Sequence, residues 1–108
     1  MQALSKETLK ALDSPKAKAI AFVDALRNIP EGFTWDYERI QDDCRGCAIT
    51  LARYLGVIDR LVIQDMAEAF GLPSTRLHQI CYRLHEEHCV APKQVTAEQV
   101  AAAFEALI

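Results

Sequence analysis

IQDMAEAFGLPSTRLHQICY, residues 63–82, reads as two short helices joined at Gly71. In the first, Met66, Ala67 and Phe70 share one face, because residues three and four apart are neighbours on a helix. Gly71 stands where a chain leaving a helix takes a left-handed residue, and Leu72 follows as a buried turn residue. Pro73 blocks continuation of the first helix, and Ser74 or Thr75 is placed to cap the second. From there Leu77, Ile80, Cys81 and Leu84 repeat at helical spacing, which predicts a helix from Ser74 to about His88.

A small residue at the crossing (Ala67), glycine four positions on (Gly71) and apolar residues at Leu77 and Ile80 resemble the helix-turn-helix of bacterial and phage DNA-binding proteins. The resemblance implies a second helix that enters the major groove with its N-terminal side chains against base edges. On this sequence those are Ser74, Thr75, Arg76, His78, Gln79 and Arg83, with Arg76 suited to guanine and Gln79 to adenine. Glu86 and Glu87 follow at once, however, and the preceding helix adds Asp65 and Glu68. A monomer would grip few phosphates, so DNA binding implies a homodimer. Any tight αα-corner asks for similar residues.

Outward from this corner the chain keeps a helical pattern. Asp59 is a candidate cap for the helix that leads into it. Upstream, Cys44, Cys47, Ala48, Leu51, Ala52 and Leu55 predict a buried helix face from Asp42 or Asp43 to Gly56. Residues 33–43, FTWDYERIQDD, read as a linker anchored by Phe33, Trp35, Tyr37 and Ile40, with alternation that suits a short strand but no visible partner for it. Ser14 and Pro15 mark a cap and first turn for a helix whose stripe is Ala19, Ile20, Val23 and Leu26. A shorter helix, Ser5 to Leu12, precedes it. Downstream, Thr96 and Gln99 spell a capping box, and Val100, Ala101, Phe104 and Leu107 form the face of a last helix. The expectation is an all-α single domain, residues 1–108, of five or six short helices with a helix-turn-helix-like corner.

Bulk properties limit the function. At 108 residues, 51% apolar and 25% charged, the chain has the composition of a soluble globular domain. A net charge of −3 opposes broad, charge-driven nucleic-acid binding. Residues 1–27 hold five basic and three acidic side chains, Lys6, Lys10, Lys16 and Lys18 among them, while residues 28–68 hold eight acidic and four basic ones. No apolar run reaches the length of a membrane span, and MQALSKETLK lacks a signal core. A cytoplasmic location and no membrane partner follow as expectations, with the four cysteines as thiols, metal ligands or core residues.

Three chemistries compete for those cysteines. Cys44 and Cys47 form a C-x-x-C pair, and Cys81 and His85 lie one helical turn apart, so the four offer a structural zinc set. Each of Cys44, Cys47 and Cys81 also falls on an apolar stripe, and cysteine is among the most buried residue types; core packing is the stronger reading, and no cofactor is expected. A thioredoxin-like redox role for C-R-G-C lacks its strands. The run DDCRGCAITLARYLGV looks like the cysteine helix of transglutaminase-like proteins with Cys44 as nucleophile, yet His78, His85 and His88 share one predicted helix and no oriented base can be placed. Catalysis is therefore not expected.

Trp35-Asp36, Cys47-Ala48-Ile49 with Leu51-Ala52, Phe70-Gly71-Leu72, and Val95-Thr96 with Val100-Ala101 and Ala103 together resemble a family of small, mostly helical, uncharacterised proteins of phages and proteobacteria. The resemblance spans residues 33–108, with Thr50 where such proteins often have glycine. It implies no activity and tilts the expectation towards a phage-related accessory protein. The expected function is non-enzymatic binding of a protein partner, with DNA binding through residues 74–88 as the alternative and a zinc module through Cys44, Cys47, Cys81 and His85 as a further one.

Overall fold

The computed structural model describes residues 14–37 and 44–108. The Ser5–Leu12 helix, Lys6, Lys10, Ile40 and the Asp42 or Asp43 helix start lie outside these residues. The described chain is mainly helical: α1 (Pro15–Arg27), β1 (Thr34–Trp35), β2 (Arg45–Gly46), α2 (Ala48–Tyr54), α3 (Ile63–Phe70), α4 (Ser74–Tyr82), α5 (Leu84–Glu87), a 3-10 turn (Pro92–Gln94) and α6 (Ala97–Glu105).

Local chemistry accounts for most of the boundaries. Ser14 has extended backbone angles, and the Ala17 N–H donates to its Oγ at 3.0 Å, so α1 starts with a side-chain cap and proline in its first turn. At α6 the capping box forms in both directions: the Gln99 N–H donates to Thr96 Oγ1 at 3.1 Å, and the Thr96 N–H donates to Gln99 Oε1 at 3.0 Å. Gly71 ends α3 at φ 65°, and the Leu72 N–H returns to the Ala67 carbonyl at 3.1 Å. That bond, from the residue after the left-handed one, satisfies a carbonyl the helix end would orphan. A Cβ on Gly71 would also lie 3.3 Å from Pro15 Cβ, so glycine allows both the turn and the approach of α1.

Three rings tie α1, α3 and α6 together. Phe22 packs on Phe70 with ring centroids 4.9 Å apart and on Phe104 at 5.5 Å, and Phe70 meets Phe104 edge-on at 6.2 Å. Met66, Leu77, Ile80, Val100 and Ala101 are buried with them. On the surface Arg27 closes the same seam, its guanidinium donating to Glu98 at 3.0 Å and Glu105 at 2.8 Å.

Several expectations need correction. Ile20 is 53% exposed, and Phe22 and Ala25 are buried on the α1 stripe instead. Residues 19, 22, 23 and 26 follow helical spacing on one face, and Phe22 fills the aromatic hub, which leaves Ile20 beside that face. The helix expected from Asp42 or Asp43 begins only at Ala48. Before it, Arg45 and Gly46 pair in parallel with Thr34 and Trp35, the strand partner the sequence did not reveal. Extended pairing suits Gly46, which is a poor helix residue, and it leaves Cys44 exposed rather than in the core. Asp59 does not cap α3: Val62 holds that position without a side-chain bond. Pro73, not Ser74 or Thr75, precedes α4, again without a side-chain bond. Leu107 is only partly buried. The helix expected from Ser74 to His88 is broken at Arg83, whose angles are φ −130° and ψ 10°.

Candidate functional site

The α3–α4 corner carries the sequence-derived DNA-contact residues, and its interior matches the expected pattern: Met66, Ala67, Phe70, Leu77, Ile80 and Cys81 are all buried. On the outer side Thr75, His78, Gln79 and Arg83 are exposed, while Ser74 and Arg76 are half-buried. The His78 ring meets Tyr82 edge-on at 5.0 Å, one helical turn away.

Both arginines of this set face carboxylates of their own chain. Arg76 donates to Glu87 from both terminal guanidinium nitrogens, Nη1 and Nη2, at 2.6 and 3.1 Å, and Nη1 reaches Gln79 Oε1 at 3.3 Å. The fork-on-fork geometry is the strong form of this pair. Arg83 lies 3.6 Å from Glu86. The Arg76 hydrogen bonds hold the Glu87 carboxyl below its ordinary range, and Glu87 raises the Arg76 guanidinium in turn. Beside the pair an open groove of about 400 Å³ runs between α4, α5 and α6, lined by Arg76, Leu84, Glu87, His88 and Glu98 among others. Glu87 as the partner of Arg76 was not foreseen, because eleven residues of one unbroken helix keep such side chains about 16 Å apart along the axis.

Tyr37 stands at the break. Its hydroxyl donates to the Ile80 carbonyl at 2.6 Å and accepts from the Leu84 N–H at 2.9 Å. It is held there by its neighbours: the Trp35 Nε1–H donates to the Val95 carbonyl at 2.9 Å, and the Tyr37 ring lies beside Trp35 and edge-on to His85, each at 6.4 Å. Burial pushes the Tyr37 phenol well above its ordinary range and the Tyr82 phenol up to about 12. The sequence signal for this site was the aromatic alternation from Phe33 to Tyr37, which marks an anchored strand but not what the hydroxyl touches.

Cys47 and Cys81 are fully buried, Cys44 is exposed, and the described residues hold no group of three or more His, Cys, Asp or Glu side chains arranged for a metal. His85 turns a buried Nδ1 inward, with no hydrogen-bond partner among the described residues. Cys47 heads α2 without a side-chain cap bond, and burial pushes its thiol up. Cys81 is pushed up further, by burial and then by Cys47 nearby. Cys44, the nucleophile position of the transglutaminase-like reading, lies before β2 instead of on the helix.

No helix among the described residues is long and apolar enough to cross a membrane. No protein-family model matches the chain, no curated protein matches it, and no solved structure matches it.

Proposed function

We propose that the chain is a small, non-enzymatic binding protein that acts through contact with another protein. The supporting observation is the charge state of the helix-turn-helix-like face. Arg76 is paired in both forks with Glu87, and Arg83 lies against Glu86, so the positive potential that duplex DNA requires is cancelled locally. Exposed apolar surface lies elsewhere: Ile20 of α1 and Ile108 flank a shallow groove with Val23 and Glu105. The resemblance to small phage and proteobacterial proteins points to the same accessory class. The test is affinity capture with the wild-type chain and an Ile20→Asp variant of equal thermal stability. A partner retained by the first and lost by the second supports the reading; identical captures, or none, overturn it.

A second reading, DNA binding by a homodimer, is favoured by the corner itself, where left-handed Gly71 sets α4 with Thr75, His78, Gln79 and Arg83 outward. Salt-dependent retention on random duplex, reduced in an Arg76→Ala, Arg83→Ala variant, is its expected result. Absence of retention at low salt refutes it. A zinc module is tested by elemental analysis of protein purified without added metal, with stoichiometric zinc as the supporting result.

A further inference from the structure

The interruption between α4 and α5 is first a matter of hydrogen bonds. In an unbroken helix the Leu84 N–H would donate to the Ile80 carbonyl, four residues back. Here the Tyr37 hydroxyl stands between the two, donating to one at 2.6 Å and accepting from the other at 2.9 Å. Both buried backbone groups are thus satisfied, but through a side chain more than forty residues away. The helix otherwise approaches the joint normally, with the Arg83 N–H on the Gln79 carbonyl at 2.8 Å. Residues 74–87 contain no proline and no glycine, so the local sequence offers no other breaker. A side chain inserted into the ladder is a recognised cause of a sharp bend.

The bend also has an electrostatic consequence. Continuous helix would hold residues 76 and 87 about 16 Å apart along the axis, yet their side chains meet at 2.6 Å. The ion pair therefore requires the bend. Leu84, buried in the core, fixes the start of α5. Beyond it, Cys89 takes the left-handed conformation at φ 53°, and the Val90 N–H returns to the His85 carbonyl at 3.0 Å, so α5 closes with the same bonding pattern as α3.

We propose that the Tyr37 hydroxyl is a wedge that keeps the α4–α5 joint bent, and that the joint in turn keeps Glu87 folded over Arg76 as a built-in cover. When Tyr37 withdraws, the Leu84 N–H recovers the Ile80 carbonyl, residues 74–87 become one helix, and Glu87 is carried away from Arg76. The segment Phe33–Tyr37 thereby controls whether Arg76 of α4 is available to an anion. For duplex phosphate as that anion, the inference rests on the nucleic-acid reading above; the conformational half does not.

Tyr37→Phe keeps the ring and removes the wedge. Its expected result, read by nuclear magnetic resonance, is helical backbone shifts at Arg83, a changed Leu84 amide and loss of the Arg76–Glu87 contact, with a stronger far-ultraviolet helical signal. A bent joint with the ion pair intact in Tyr37→Phe overturns the proposal. Glu87→Ala provides a second test at an exposed position. It should leave the joint bent and the Leu84 amide unchanged, whereas a healed helix in this variant would make the ion pair, not Tyr37, the cause of the bend. Both variants should then need more salt than wild type to elute from random duplex. A healed joint without that gain upholds the wedge and counts against the nucleic-acid reading alone.

Discussion

Two buried regions of this protein are built on opposite principles. Where α1, α3 and α6 meet, Phe22, Phe70 and Phe104 interlock with aliphatic neighbours. Around Tyr37, between the start of α2 and the α4–α5 joint, the interior holds a phenol, the Cys47 and Cys81 thiols, the Thr50 hydroxyl and the inward Nδ1 of His85. Apolar contact is non-directional and roughly proportional to area, so the first region tolerates small shifts. Polar groups out of water need specific partners, so the second depends on individual atoms. The first region joins the elements together, and the second sets the angle of one of them.

Substitutions that cut into the two regions should differ accordingly. The largest effect is expected at the aromatic hub, where Phe22→Ala or Phe104→Ala should cost about 3–5 kcal/mol in denaturant unfolding. A loss below about 1 kcal/mol at both would mean that the hub carries little of the core. Gly71→Ala should cost roughly 1–2 kcal/mol, since an alanine must adopt the left-handed conformation and its Cβ presses on Pro15. An unchanged midpoint there would count against the corner as described.

Alkaline pH should act on the polar region. Burial raises Cys47, Cys81, Tyr37 and Tyr82 above their ordinary values of 9.0 for thiols and 10.0 for phenols. Their neutral forms are favoured by the fold, so the associated stability is whole below pH 9 and drains away as the unfolded chain begins to ionise above it. The urea midpoint should therefore fall between pH 9 and 12, and Tyr82→Phe should flatten the upper part of that fall. In the native state, a thiol reagent at neutral pH should label exposed Cys44 and Cys89 well before buried Cys47 and Cys81; equal rates would place the two inner thiols nearer solvent than the fold does. The smallest expected effect is a gain: Cys89→Gly should relieve the positive φ at the end of α5 and stabilise by about 0.5–1 kcal/mol.

Sequence alone determined the features whose causes lie within one turn of helix. The Ser14 cap, the Thr96–Gln99 box, left-handed Gly71 and the buried faces of α3, α4 and α6 follow from side-chain reach and 3.6-residue spacing, and most of their residues stand where that spacing puts them. The same spacing made Cys44 a helix residue and ran α4 through to His88. Only the tertiary structure decided those places, because the deciding groups come from far along the chain. The Arg45–Gly46 pairing needs the backbone of Thr34 and Trp35, and the break at Arg83 needs a phenol from residue 37. Periodicity reports which face of an element seeks the core; it contains nothing about which distant hydroxyl will be waiting there.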